Sequence, residues 1–455
     1  MRRHEEYEFD VVDVEFPGMG IAYSEDRKIY IKGAVPGQKV LGKVKKLKKE
    51  YGEAKLIKAL NTIEGEVEPK CAHFGVCGGC THQFINYDKQ ISLKEKQLLK
   101  LFKDAEIDDF IYEGIGRSPK EFEYRNKMEF SFGDMEKGGE ITLGMHMKNK
   151  AFGIINVHEC ALVHRDFRRI LDTIVNYFRD KESTYYKIMK REGYLRNLVI
   201  RRTEHTGEIL VNLVTTSQGS FDKEEVVKLL LSLDLEANIV GILHTTNDSF
   251  SDVVAADKID ILYGRDYIIE EVLGLKFKIS PLSFFQTNTL GAEKLYSIVM
   301  DFVGEADSKL IFDLYCGTGT IGQIAAAKNA KKVIGIELIE EAVKAANENA
   351  KLNNLDNCSF IAGDVAKVIQ ELHDKPDVII LDPPRPGVHP KALDYVIKFD
   401  AKKIVYVSCN PKTLMVDLRK LIESGYKVER VKGMDMFPMT GHLECVVGIR
   451  RKDTL

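Results

Sequence analysis

From residue 308 onward, short apolar runs alternate with helical patterns: KLIFDLY then IGQIAAAKN, KVIGIEL then EEAVKAANENAKLNN, CSFIAG then VAKVIQELHD, DVIILD then PKALDYVIKF, KIVYVSC then KTLMVDLRKLIES. Two further strand-like runs, KVERVKGMDMF and LECVVGIR, follow them. Strands separated by helices of this length pair through crossovers, so the pattern predicts an α/β architecture with a doubly wound, Rossmann-like parallel sheet. Ligands of such sheets bind outside the carboxyl ends of the strands, and chemistry is to be sought at those ends.

The preceding sequence has a different texture. Residues 7–60 read as short strands divided by Pro17-Gly18 and Pro36-Gly37, which predicts a small β-barrel. Its third segment carries Lys43, Lys45, Lys46, Lys48 and Lys49, with Lys55 and Lys58 beyond. Lysines in this density either guard an edge strand or track phosphates, the latter suiting single-stranded nucleic acid. A helix is expected around 88–104, and residues 121–270 alternate strand-like and helical runs in the manner of an α+β domain. A length of 455 residues accommodates about three domains, placed here at 1–62, 63–272 and 273–455. MRRHEEYEFD is polar where an export signal needs an apolar core, and no apolar run approaches a membrane span. The expectation is a cytoplasmic protein without a membrane partner, and a monomer. A net charge of −3 argues against a uniformly basic coat and leaves room for a local basic patch.

Eight cysteines in such a chain do not suggest a disulfide framework. Cys71, Cys77 and Cys80 cluster in CAHFGVCGGC, and Cys160 follows alone in NVHECALV. The spacing is near the C-x4-C-x2-C…C ligation of plant-type ferredoxins. Four soft thiolates suit an iron–sulfur cluster or zinc equally by count, and four unrelated reduced thiols are the plain alternative.

At the first strand of the sheet, IFDLYCGTGTIG places Gly317, Gly319 and Gly322 in G-x-G-x-x-G spacing, with Glu337 ending the next strand. The glycines allow a tight turn and close ligand approach, and the acid can take ribose hydroxyls. A nicotinamide enzyme would show the same pattern. Asp313, just before the loop, would instead attract a cationic cofactor, and Asp382-Pro383-Pro384 ending the fourth strand is a position typical of methyltransferases. Together they favour S-adenosylmethionine. Asp364 is a candidate for the adenine edge or simply a helix N-cap. Amine methyltransferases carry an aromatic after the Pro pair, where Arg385 stands here.

Cys409 ends the fifth strand, before Pro411. As a core residue it would be unremarked; as a nucleophile near a helix N-terminus it would have a lowered pKa. C5 of uracil becomes nucleophilic only after a thiolate adds to C6, and a base must then remove the C5 proton. FPMTGHLECVVGIR supplies His442 and Glu444. If that strand is antiparallel, Glu444 reaches the carboxyl edge as the base, with His442 as its orienter or an RNA contact.

IVYVSCNP, DLYCGTG, LDPPRPG, SFFQTN (283–288) and GHLE together resemble the RNA uracil-5-methyltransferases, which make 5-methyluridine. The resemblance covers essentially the whole chain. It implies Cys409 as nucleophile and Glu444 as base, with Gln286, Tyr315, Gly317, Gly319, Glu337, Asp364 and Asp382 around S-adenosylmethionine. Tyr315 stands where the wider superfamily has its first glycine. The resemblance also selects a [4Fe-4S] cluster on Cys71, Cys77, Cys80 and Cys160, and likens the front 60 residues to a TRAM domain. Barrel and cluster together imply 23S ribosomal RNA as the partner rather than transfer RNA. A segment at 88–110, holding the expected helix, packed on the C-terminal domain and an RNA contact at Arg125, in EYRNKMEF, are further implications.

Overall fold

The computed structural model describes residues 1–148, 150, 152–251 and 256–452. The alternating C-terminal pattern folds into an eight-stranded sheet in the order Cys358–Ala362, Lys332–Glu337, Leu310–Leu314, Val378–Leu381, Lys403–Ser408, Glu444–Arg451, Tyr426–Met434, Ile111–Gly116. The first five strands are parallel. Glu444–Arg451 runs antiparallel between Lys403–Ser408 and Tyr426–Met434. Helices cover both faces, which is why the central strands are apolar on both sides. Phe312, Leu314, Ile379 and Leu381 face one core, and Ile311, Val378 and Ile380 face the other. Truncating any of them to alanine costs about 2–5 kcal/mol.

The strand Ile111–Gly116 joins this sheet from far upstream, parallel to Tyr426–Met434. Nothing in IYEGIG announces a strand: it lacks alternation and holds two glycines. A Cβ at Gly116 would lie 2.8 Å from Met434 Sδ, so a side chain there would require the methionine to shift. Helix Tyr87–Asp104 precedes the strand and packs Leu98 and Phe102 into the same core as Leu418 and Leu421 of helix Pro411–Glu423.

The N-terminal strands form a six-stranded sheet in the order Glu6–Asp10, Lys39–Leu47, Tyr51–Ala59, Arg27–Lys32, Met19–Ser24, Asp13–Glu15. Its two outermost strands are consecutive in the chain. Between them Val11 N–H donates to Gln38 O and Val12 N–H to Ile21 O, each at 2.8 Å. The run 6–15 therefore bonds to both edges and closes the barrel. The lysine-rich strand Lys39–Leu47 is paired on both sides. Pairing to the first strand covers Lys39–Lys43, and Lys45 and Lys46 lie beyond it.

The middle of the chain builds a seven-stranded sheet, in the order Ile154–Asn156, Ile141–His146, Lys127–Asp134, Leu195–Arg202, Glu208–Thr215, Asn238–Thr246, Lys258–Gly264. Helices Arg165–Asp180 and Lys223–Leu231 contribute Ile170, Ile174, Val226 and Leu230 to its core. A hairpin of Ile268–Val272 and Leu275–Ile279 follows, across the expected 272/273 boundary. Lys276 and Lys278 donate their backbone N–H groups to Asn353 and Asn349 Oδ1, each at 2.8 Å, tying the hairpin to the C-terminal sheet's helices. Among the described residues, no helix is long and apolar enough to cross a membrane.

Candidate active site

Cys409 directly follows Ser408, the last residue of its strand, and Ser408 lies opposite Cys445 in the antiparallel pair. That register sets Glu444, the first residue of its own strand, beside Cys409. Asn410 then caps helix Pro411–Glu423, its Oδ1 accepting from Lys412 N–H at 3.3 Å, with Pro411 in the first turn where its missing N–H is harmless. Asn410 Nδ2 and Thr413 Oγ1 each donate to Arg385 O at 3.1 Å. The loop after Asp382 is thereby fastened over the cysteine. Asp417 of the same helix holds the loop's far end, accepting from Val388 N–H at 2.9 Å and Tyr406 OH at 2.6 Å.

The electrostatics of this edge are unusual. Glu444 is 4% exposed, and burial, then Asp382, push its carboxyl up to about 8 while Arg385 pulls it down. Burial raises Asp382 to about 7. Asp313 is raised to about 8 by burial and then by Asp382. The expectation of a lowered Cys409 pKa is corrected: burial, Glu444 and Asp382 push the thiol up to about 11, against a lowering by Arg385. Desolvation and two nearby carboxylates outweigh one helix end. Arg385 is thus the cation that favours ionisation of both Cys409 and Glu444, and it was not among the residues expected to act. Its sequence signal was its place after Pro384, where a charge replaces the aromatic of amine methyltransferases. His442 is kept neutral, lowered to about 4 by burial and then by Arg385. Its ring packs edge-on between Phe16 and Phe437.

On the cofactor side, Tyr315 adopts φ 64°, the left-handed conformation that glycine would take without strain. Gly319 also needs its missing side chain: φ is +72°, and a Cβ would meet Phe360 at 2.6 Å. Gly317 N–H donates to Glu337 Oε2 at 3.1 Å, joining the loop to the end of the next strand. Asp313 is wholly buried, and its Oδ2 accepts from Gly322 N–H at 2.8 Å. Oδ2 thus braces the turn from within, while Oδ1, also buried, has no hydrogen-bond partner among the described residues. Asp364 occupies the N-cap position of the short helix Val365–Val368 without a side-chain cap bond, and its charge reaches Tyr315. Gln286 stands apart, without a hydrogen bond to these groups among the described residues. Its loop is fixed by Asn126, which donates to Gln286 O at 2.8 Å and Thr289 Oγ1 at 2.9 Å. The neighbouring Phe284 is 71% exposed, an aromatic face open to solvent.

Cys71, Cys77, Cys80 and Cys160 line one cavity of about 90 Å³, together with His73 and Arg125. That exceeds the ~30 Å³ share of a single water in the liquid. Gln83 accepts from Cys71 N–H and donates to Cys80 Sγ, both at 3.1 Å, and Gly79 N–H donates to Cys77 Sγ at 3.4 Å. All four are free thiols. Burial pushes Cys80 up to about 12 and Cys160 to about 11, the thiols raising one another further. Four soft donors with N–H groups aimed at two sulfurs fit a thiolate-bound group. Among the described residues, however, no set of three or more His, Cys, Asp or Glu side chains is gathered to hold a metal ion.

The model of the tRNA (uracil-5-)-methyltransferase family matches residues 86–452. An uncharacterised RNA methyltransferase from Clostridium tetani is 63% identical over the full length of both chains. One from Clostridium acetobutylicum is 60% identical over 99% of each. The crystal structure of Pyrococcus abyssi tRNA (uracil-54, C5)-methyltransferase in complex with S-adenosyl-L-homocysteine superposes with a TM-score of 0.77, at 27% identity, over 96% of this chain and 99% of that one. The paired Cys409 and Glu444, the glycine loop and these similarities converge: the chain belongs to the RNA uracil-5-methyltransferase family.

Proposed function

We propose that this protein methylates C5 of a uridine in RNA with S-adenosylmethionine as methyl donor. The observation that carries the reading is the register Ser408↔Cys445, which seats Cys409 beside Glu444. The Cys409 thiolate adds to C6 of the flipped-out base, breaking the C5=C6 π bond and leaving an enolate. C5 of the enolate takes the electrophilic methyl group that S-adenosylmethionine would supply, the sulfonium–methyl bond breaking as S-adenosylhomocysteine leaves. Glu444 then takes the C5 proton, the C5=C6 bond re-forms, and the C6–S bond breaks to release Cys409. Arg385 favours the ionised forms of both side chains and can donate to the enolate oxygen. Glu337, Gly317, Gly319, Tyr315, Asp364, Asp382 and Gln286 are assigned to the donor site.

For the RNA, a groove of about 650 Å³ runs between the barrel and the cysteine segment, with Lys43, Lys55 and Lys148 beside Phe74 and Phe84, and with Glu6 and Glu66 also in its wall. Cations interleaved with aromatics suit a single strand. We propose 23S ribosomal RNA as the substrate, on the resemblance that joins barrel and cysteine set. The transfer-RNA reading has its own support, because the Pyrococcus abyssi enzyme matches 96% of this chain, barrel included. The cavity cysteines are proposed to hold a [4Fe-4S] cluster, on the resemblance and on the four thiols that line one cavity. When bound, the cluster supplies a structural staple there.

The test is to offer unmodified 23S rRNA and total tRNA separately, with labelled S-adenosylmethionine, and map 5-methyluridine. Methylation of one RNA, abolished by Cys409→Ala in a folded protein, is the expected result. Methylation by the Cys409→Ala variant refutes the mechanism, and methylation of tRNA alone refutes the ribosomal assignment.

A further inference from the structure

Helix Tyr87–Asp104 buries Tyr87, Gln90, Lys94 and Gln97. Their spacing of three, four and three residues makes one stripe, where a helix facing a core ordinarily carries apolar side chains. Gln90 is 0% exposed and Lys94 2%. Burying an amide and an ammonium is unfavourable unless each is fully partnered, and an apolar pair of similar volume is often no less stable. Stability alone does not account for the stripe. Its partners do.

Lys94 Nζ donates to Asp435 Oδ1 at 2.7 Å and to Phe437 O at 3.3 Å. Gln90 accepts from Met439 N–H at 2.8 Å and donates to Met439 Sδ at 3.2 Å. From the other side, Thr81 and His82 N–H donate to Met439 O at 2.9 and 3.0 Å. Tyr124 OH donates to Pro438 O at 3.1 Å. Met439 itself has φ 67°, a left-handed conformation for a residue with a side chain. Such strain persists where the surroundings over-determine it. All these bonds land on residues 435–439, and the same loop ends by delivering Glu444 beside Cys409.

We propose that Gln90 and Lys94 are positioning residues which, from behind the cleft, lock loop 435–443 so that Glu444 meets the proton on uracil C5. The inference rests on the uracil-5-methylation reading. A displacement near 1 Å in such a site costs up to about a hundredfold in rate, and it would fall on proton removal, the step after methyl transfer.

Two variants test it. Lys94→Met with Asp435→Asn removes both buried charges together and keeps the acceptor for Phe437 N–H, and Gln90→Met removes the grip on Met439 together with the amide's bond to Ile85 O at 2.9 Å. Each is assayed on the RNA that the parent methylates, with S-adenosylhomocysteine affinity, KM, kcat and covalent RNA–protein adduct all measured. The expected result is affinity and KM within about twofold of the parent, kcat down at least tenfold, and an adduct fraction raised several-fold. Parental kcat in the folded variants overturns the inference. So does a kcat loss without added adduct, or one matched by lost S-adenosylhomocysteine affinity. If the parent itself fails to trap 5-fluorouridine RNA covalently, the methylation reading falls, and this inference with it.

Discussion

Replacing Glu444 with glutamine should make the protein more stable, and only above the acid range. Glu444 is 4% exposed. Its carboxyl ordinarily titrates at 4.5 and is pushed up to about 8 in the fold, first by burial and then by Asp382. Between those values the native state holds a proton that the unfolded chain has released, so stability falls as pH rises through this window. At pH 7.5 the gap is about three units, a ceiling of ~4 kcal/mol at about 1.4 kcal/mol per unit. Asp382, pushed up to about 7, competes for the same proton and brings the expected effect to ~2 kcal/mol. Glutamine cannot ionise, and the destabilisation disappears with it. At 2–4 °C per kcal/mol for a domain of this size, Glu444→Gln should melt roughly 4–8 °C above the parent at pH 7.5 and about 2 °C above it or less at pH 5. Scanning calorimetry from pH 5 to 8.5 reads both curves. A gain independent of pH, or a loss at pH 7.5, would refute the assignment of a buried, proton-holding Glu444. The same variant should accumulate covalent RNA adduct, since stability here is bought with the base.

Arg385→Ala should slow alkylation of Cys409 by iodoacetamide at pH 8 at least threefold, read by peptide mass spectrometry, because the cation lowering that thiol is gone; an unchanged rate places Arg385 elsewhere. Gly319→Ala should abolish S-adenosylhomocysteine binding in calorimetry and lower stability by about 1–3 kcal/mol, since its Cβ meets Phe360 at 2.6 Å in a left-handed backbone. Retained binding would show that the turn tolerates a side chain. Cys160→Ser, purified without oxygen, should lose most of the iron and the brown colour of the parent; a colourless, zinc-loaded parent contradicts the cluster proposal.

What the chain determined by itself is local. Strand–helix alternation after residue 308 dictates a parallel sheet, because apolar period and crossover length are properties of adjacent residues. The glycine turn and the Asn410–Pro411 helix start are legible for the same reason, whereas the roles proposed for Cys409 and Glu444 rest on a resemblance. Tertiary structure decided what depends on distant groups. Ile111–Gly116 becomes a strand only because Tyr426–Met434 offers it an edge. The run 6–15 closes a barrel by bonding at both sides, which pairs the lysine strand over Lys39–Lys43. Asp313 turns inward to Gly322, and the Cys409 thiol is raised where its helix end alone would lower it. Gln90 and Lys94 look in the sequence like exposed helix surface until loop 435–443 arrives to meet them. Desolvation and Coulomb interactions sum over everything nearby in space, and no window of neighbouring residues contains that sum.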